Sequence, residues 1–164
     1  MKDRLYAPWR SSYLMDESAR EDGCLFCRIR DEETDPKNFV LERGDRWYTI
    51  INRFPYTTGH VMVVCNRHVE CLADLDDTEG AELTALLARC ERALRREYRP
   101  DGINMGANLG RSAGAGIMGH LHVHLVPRWH GDTNFMSTIG ETRVVSEDLG
   151  DTYRRLKKAL ASSE

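Results

Sequence analysis

Three histidines alternate with aliphatic residues in the stretch GHLHVHLVPRW, residues 119–129. They are His120, His122 and His124, half of the six histidines in the chain. Because a β-strand turns successive side chains to opposite faces, a strand here places the three imidazoles on one face and the aliphatic side chains on the other. Aligned imidazoles are costly to bury unless a metal ion, a substrate or one another satisfies their nitrogens. The pattern therefore predicts a site for chemistry on a strand whose other face packs into the core.

The loop before these histidines, residues 110–119, contains four glycines. Glycine lets the backbone approach a ligand closely and direct several amide N–H groups at one point, which suits a phosphate. A neutral imidazole can attack phosphorus, and a protonated one can donate to the leaving oxygen. Taken together, the loop and the histidines predict chemistry on a phosphate, with the central residue His122 as the nucleophile.

Alternating apolar residues predict the strands that carry this site. Residues 39–52 are typical of two strands joined by a turn at Gly44 and Asp45. Residues 60–66 predict a third, largely buried strand, and residues 102–109 predict a fourth. The histidine strand completes an antiparallel sheet of about five strands.

Two helices are predicted beside the sheet. Leucines at helical spacing indicate a long helix over residues 79–98, stopped by Pro100, and a C-terminal helix from about residue 146. The charged segment 28–38 contains Pro36 and is predicted to be a loop. Strands joined by hairpins, with a long helix inserted before the last pair, indicate an α+β fold.

The chain of 164 residues has the length of one domain, so residues 1–164 are predicted to form a single domain. Residues 1–20 carry Tyr6, Trp9 and Tyr13 among polar residues. This pattern predicts an N-terminal arm that docks on the body of the protein or on a partner chain.

A net charge of −3 and a hydrophobic content of 41% are typical of an ordinary globular protein. No apolar run approaches the ~20 residues that span a bilayer, and the N-terminus lacks the apolar core of a signal peptide. The five cysteines are an odd number, which favours a reducing compartment. We therefore expect a cytoplasmic protein with no membrane partner, and the mild acidity argues against a nucleic-acid partner.

The histidine strand resembles the signature of a known family. HLHVHLV matches the pattern His-φ-His-φ-His-φ-φ of the histidine triad family, where φ is hydrophobic. INRFPYTTGHVMVV, residues 51–64, is similar to the nucleotide-binding strands of the fragile-histidine-triad hydrolases, and CLFCRI resembles the opening of many bacterial members. LYAPWR and HLVPRWHGDTNFM resemble the bacterial diadenosine polyphosphate phosphorylases of this family. The resemblance covers residues 5 to about 160 and implies a HIT-like fold.

The resemblance implies roles for the three histidines. His122 attacks the α-phosphorus of a nucleotide and forms a nucleotidyl-histidine intermediate, which water or inorganic phosphate then discharges. His124 contacts the phosphate and assists departure of the leaving group, and His120 completes the catalytic triad. Such a site requires no bound magnesium and no organic cofactor.

Further nucleotide-binding residues follow from the same resemblance. Asn52 corresponds to the residue that binds the ribose hydroxyls, and Asn108 to the asparagine that contacts the phosphate. The backbone amides of Gly116 and Ile117 stabilise charge on the phosphate in the transition state. These two positions also depart from the family pattern, which has a Gln and a Ser or Thr there. His60 is expected to support the nucleotide-binding strands.

Four residues form a second candidate site. Cys24 and Cys27 form a CxxC pair, and with His68 and His120 they provide a donor set suited to tetrahedral zinc. In zinc-bearing bacterial histidine triad proteins the ligands are such a pair, a histidine after the third strand and the first triad histidine, so the resemblance implies a structural Zn²⁺ here. The alternative is a pair of reduced thiols with His68 at the surface.

The function implied is cleavage of a nucleotide phosphoanhydride, with phosphorolysis of diadenosine tetraphosphate to ADP and ATP as the leading version. Hydrolysis of dinucleoside polyphosphates or of adenosine phosphoramidates is the alternative. A protein of another class, which binds or senses nucleotides with little catalysis, also fits the sequence. The expected partners are adenine nucleotides and a second copy of the chain in a homodimer.

Overall fold

The computed structural model describes residues 23–32, 34–114, 116–117, 119–133 and 147–162. These residues contain one five-stranded antiparallel sheet with the strand order β1-β2-β3-β5-β4. The strands are β1 (Val40–Arg43), β2 (Trp47–Ile51), β3 (Val61–Cys65), β4 (Gly102–Gly106) and β5 (His122–Arg128). The predicted α+β fold with five antiparallel strands is confirmed, and the histidine strand β5 lies inside the sheet, between β3 and β4.

Four helices accompany the sheet in this part of the chain: α1 (Leu25–Asp31), α2 (Asp35–Asn38), α3 (Asp77–Tyr98) and α4 (Leu149–Ala161). The long helix α3 begins with a capping box, in which the Asp76 side chain accepts from the Glu79 amide and the Glu79 side chain accepts from the Asp76 amide. Each bond satisfies an amide that the helix itself leaves without a partner. Both predicted helices are confirmed.

Helices α3 and α4 cover one face of the sheet. Leu121, Val123 and Leu125 are buried on this face, in a core that includes Trp47 of β2 and Leu94 of α3. The indole N–H of Trp47 donates to the carbonyl oxygen of Glu79 at 2.9 Å and ties the start of α3 to the sheet. The aliphatic half of the alternating pattern therefore anchors β5, and the histidines face the other way.

The predicted loop over residues 28–38 is wrong, because most of this segment is helical in α1 and α2. Phe26 and Ile29, three residues apart, bury one side of α1 against the sheet. The guanidinium group of Arg43 donates to the carbonyl oxygens of Ile29, Arg30 and Glu32, and so satisfies the C-terminal end of α1. Both sets of contacts join α1 to residues that are distant in sequence, so the composition of residues 28–38 gives no sign of them.

The predicted hairpin between β1 and β2 is confirmed, with the Gly44 amide donating to the Trp47 carbonyl oxygen at 2.8 Å. The predicted N-terminal arm, residues 1–20, lies outside the described residues. None of the helices within the described ranges is long and apolar enough to cross a membrane.

Candidate active site and metal centre

The cross-strand pairs fix the position of the aligned histidines. His122 pairs with Val64 of β3, and His124 pairs with Met62 of β3 and with Gly106 of β4. His120 lies just before β5, where the Cys65 amide donates to the Leu121 carbonyl oxygen and extends the pairing. The rings of His122 and His124 lie 4.9 Å apart between centroids, and Phe26 packs on the rings of both His120 and His122, so the three imidazoles line one face as the sequence predicts.

A backbone carbonyl determines which nitrogen of His122 carries its proton. The Nδ1 atom lies 2.8 Å from the carbonyl oxygen of His120. Because a carbonyl oxygen only accepts, Nδ1 is the protonated nitrogen, and the lone pair of the neutral ring is on Nε2. Burial lowers the pKa of His122 and so favours this neutral form. Neutral imidazole with its lone pair on Nε2 is the form that can attack phosphorus.

A second chain of hydrogen bonds fixes the proton on His124. The Tyr56 amide donates to Nδ1 of His60 at 3.1 Å, and the Asn52 side-chain amide donates to the same atom at 3.4 Å. In the neutral His60 ring the proton is therefore on Nε2, which lies 2.9 Å from Nδ1 of His124. Nδ1 of His124 accepts this bond, so its Nε2 carries a proton. Hence Nε2 is unprotonated in the neutral ring of His122 and protonated in that of His124.

A cavity of about 90 Å³ opens beside these two rings. His122 and His124 line it together with the four residues predicted to bind nucleotide: Asn52, Asn108, Gly116 and Ile117. The Oδ1 atom of Asn52 accepts from the Phe54 amide at 3.0 Å, which orients its side chain toward His60. The structure thus brings every predicted nucleotide-binding residue to one cavity.

The four predicted metal ligands also meet. One donor atom from each of Cys24, Cys27, His68 and His120 lies within 4.8 Å of all the others. The Nδ1 atom of His120 is 3.1 Å from Sγ of Cys24 and 3.6 Å from Sγ of Cys27, and Nδ1 of His68 is 3.4 Å from Sγ of Cys27. Zinc bond lengths in a tetrahedron place ligand atoms about 3.3–3.8 Å apart. These residues can therefore bind a metal ion of that size.

The hydrogen bonds and pKa values of these residues also suit metal binding. Nε2 of His120 donates to the Cys65 carbonyl oxygen at 2.6 Å, which leaves the Nδ1 lone pair directed at the two sulfur atoms. Such a bond on the second nitrogen is the usual way in which a protein orients a metal-binding histidine. The pKa of His120 is lowered, chiefly by burial. The pKa of Cys27 is raised by burial and by the neighbouring Cys24, a repulsion that a bound cation removes.

Phe26 connects the candidate metal ligands to the candidate nucleophile. It lies between the two cysteines in sequence and is 1% exposed. Its ring centroid is 5.4 Å from that of His120 and 4.9 Å from that of His122. The Tyr48 hydroxyl donates to the Phe26 carbonyl oxygen at 2.9 Å and holds this turn of α1 on the sheet. Phe26 thus excludes water from one side of both imidazoles.

Sequence reasoning missed two of these contributions. His60 was expected only to support the strands, yet it contacts His124 directly, and the buried histidine in GHVMVV was the available signal. Phe26 had no such signal, because an apolar residue within CxxC has many structural roles. Its contact with His122 depends on how α1 packs.

Comparison with known proteins agrees with this geometry. A family model described as the HIT domain matches residues 33–131. An AP-4-A phosphorylase of Mycobacterium tuberculosis is 41% identical over 160 residues, which cover 93% of this chain and 82% of that protein. A Zn-bound histidine triad family protein from Mycobacterium smegmatis superposes with a TM-score of 0.69 at 28% identity, covering 85% of this chain and 94% of that chain. A hypothetical histidine triad nucleotide-binding protein from Sulfolobus tokodaii gives 0.64 at 28% identity, covering 85% and 91%.

With its five-stranded sheet and aligned histidines, the chain belongs to the histidine triad (HIT) family. Within that family it is a nucleotide hydrolase or transferase.

The buried position of Phe26 generates a prediction about stability. Phe26→Ala is expected to lower the free energy of unfolding by about 3–5 kcal/mol, because it removes a fully buried aromatic ring and leaves a cavity. Phe54→Ala is the matched control, since Phe54 is 54% exposed and its loss should change stability by about 0.5 kcal/mol or less. Urea unfolding of both variants measures the difference, and equal effects would contradict the packing described.

Proposed function

We propose that this protein is a phosphorylase that converts diadenosine tetraphosphate and inorganic phosphate to ADP and ATP through a nucleotidyl-His122 intermediate. The observation that carries the proposal is the hydrogen bond from Nδ1 of His122 to the His120 carbonyl oxygen, which leaves Nε2 as an unprotonated nucleophile beside the cavity. The 41% identity to an AP-4-A phosphorylase supports this substrate and acceptor.

In the first step, Nε2 of His122 forms a bond to the α-phosphorus, and the bond from that phosphorus to the bridging oxygen breaks. The electron pair leaves with the bridging oxygen of ATP. The Nε2 proton of His124 hydrogen-bonds the phosphate and assists this departure. The Asn108 side chain and the amides of Gly116 and Ile117 bind the phosphate oxygens, and Asn52 binds the ribose.

In the second step, an oxygen of inorganic phosphate attacks the same phosphorus. The bond to Nε2 of His122 breaks, its electron pair returns to the ring, and ADP is released. Each step displaces one group and adds one, so the enzyme ends in its starting state. Gly116 and Ile117 stand where the family usually has a Gln and a Ser or Thr, so their backbone amides take the place of those side chains.

Two other functions fit the same site. One uses His122 as the nucleophile, and the other requires no nucleophile. Water as the acceptor would make the protein a hydrolase of dinucleoside polyphosphates or adenosine phosphoramidates. A nucleotide sensor would bind these ligands with little turnover.

Product analysis separates the three functions. With diadenosine tetraphosphate, we expect ADP plus ATP only when inorganic phosphate is supplied, and His122→Asn should reduce the rate about a thousandfold or more because the nucleophile is lost. His130→Asn, the same change at an exposed histidine, should leave the rate unchanged. AMP plus ATP without phosphate would identify a hydrolase, and a lack of products would contradict both enzymatic readings.

The proposal includes a structural Zn²⁺ held by Cys24, Cys27, His68 and His120. The distances among their donor atoms and the orientation of His120 support it, and the M. smegmatis structure contains zinc in a protein of the same family. The ion would supply a cross-link between α1 and the start of β5. Since zinc requires reduced thiols, we also propose a cytoplasmic location.

Metal removal tests this site. Purified protein should contain one zinc per chain, and a chelator should lower the thermal midpoint by about 5–10 °C, since zinc at a hundred times its Kd contributes about 2.7 kcal/mol. Cys27→Ser should abolish zinc binding, whereas Cys71→Ser, a half-exposed cysteine outside the cluster, should retain it. Metal analysis and calorimetry give the readouts, and full zinc content in Cys27→Ser would overturn the assignment.

We further propose a homodimer formed through β4. This edge strand pairs only with β5 within the described residues, and Met105 on it is 45% exposed. Exposed edge strands are common sites of chain pairing. Light scattering should give twice the chain mass, and Met105→Asp should yield the monomer. Leu72→Asp is the control, because Leu72 is an apolar residue outside β4 that is 50% exposed, and this variant should remain dimeric. A monomeric wild type would refute the dimer.

A further inference from the structure

A second and larger cavity lies further along β5, beyond His124. It has a volume of about 600 Å³ and is here called the far cavity. Its floor continues the face of the sheet that carries the histidines, through Val126 and Arg128 of β5 and Asn104 of β4. The volume falls within the range of about 300–1,000 Å³ typical of small-molecule sites. None of the steps proposed above places a part of the substrate deeper in this space.

The far cavity joins the cavity at the nucleophile. Tyr56, Asn108 and His124 line both of them, whereas His122 lines only the smaller one. A phosphate attacked by His122 and contacted by His124 therefore lies at the junction. The smaller cavity would hold the phosphate at His122, and the departing part of the substrate would have the far cavity beside it.

The walls of the far cavity suit an aromatic ligand. The half-buried side chains of Trp129 and Tyr56 line it, and Asn104 adds a polar group. Oδ1 of Asn104 accepts from Arg128 at 2.8 Å, so the group that Asn104 can offer to a ligand is the donor N–H of its side-chain amide. Nucleobases stack on aromatic side chains and accept hydrogen bonds at their edges.

The charges in the far cavity do not favour a phosphate. Arg128 donates two hydrogen bonds to Asp132, at 2.5 and 2.7 Å, and this pairing lowers the pKa of Asp132 far below its ordinary value. The positive charge is thus balanced within the lining. Asp132 also accepts from the Trp129 amide at 3.2 Å, so the same ion pair holds the backbone beneath the indole.

We propose that the far cavity binds the second nucleoside of a dinucleoside polyphosphate, with Trp129 as the surface on which its base stacks. This inference rests on the proposed function, since it names where the departing nucleotide lies. It also makes Trp129 a determinant of specificity for dinucleotides over mononucleotides.

Two ligands that differ by one nucleoside test the proposal. Diadenosine tetraphosphate and adenosine 5′-tetraphosphate share one adenosine and four phosphates. Their Kd values are measured by calorimetry on the His122→Asn chain, which prevents turnover. We expect the dinucleotide to bind about ten- to a hundredfold more tightly, the effect of stacking one base.

Variants locate this difference. Adding Trp129→Ala should reduce the affinity ratio to about threefold or less, Trp129→Phe should retain most of it, and His130→Ala, at an exposed neighbour, should leave it intact. Gly106→Val tests the same cavity through a different residue. Gly106 pairs with His124 and lines the far cavity, and a Cβ atom at this position meets nothing within 4 Å. It should lower the ratio by filling the cavity.

Two results would overturn the proposal. One is a ratio of the two Kd values near one in the His122→Asn chain. The other is an equal loss of affinity for both ligands on adding Trp129→Ala, which would indicate a phosphate site or a structural role for Trp129. Turnover by the wild-type chain is measured separately. A binding difference that follows Trp129 without turnover would therefore retain the far cavity as a nucleoside site while refuting the phosphorylase.

Discussion

The hydrogen bond from Nδ1 of His122 to the carbonyl oxygen of His120 is the constraint on which the rest of the site depends. It joins residues only two positions apart, because the ring of His122, the first residue of β5, folds back to the carbonyl group of His120 just before the strand. The equivalent bond from His120 to the Cys65 carbonyl oxygen uses Nε2 instead, so the two rings present opposite nitrogens. A candidate metal ligand and the candidate nucleophile thereby lie two residues apart with different nitrogens unprotonated.

Helix α1 and its N-cap residue Cys24 pack against both of these rings. Cys24 and Cys27 approach the ring of His120, while Phe26 between them packs on His122. A displacement of α1 would therefore change the surroundings of the candidate nucleophile as well as the ligand set. Arg43 stabilises this arrangement from β1 by satisfying carbonyl groups at the end of the helix.

His124 marks the boundary between two different environments. On one side lies the small cavity with His122, Gly116 and Ile117, and on the other lies the far cavity with its aromatic walls and internally paired charges. The bond from His60 fixes the proton of His124 at this boundary. A substrate with two unlike parts, a phosphate chain and a second nucleoside, matches the change in chemistry along β5.

The sequence by itself determined the alternation in β5, the strands and helices of an α+β fold, and the residue types at both sites, because these depend on periodicity and side-chain chemistry along a short stretch. It predicted a loop over residues 28–38, where Phe26, Ile29 and Arg43 make a helix stable through contacts across the sheet. It also left open whether the CxxC pair meets His68, since Cys27 and His68 lie 41 positions apart in the chain. Only the tertiary structure decided the tautomers of His120 and His124, the contact of His60 with His124 and the far cavity, because each arises where segments distant in sequence are brought side by side.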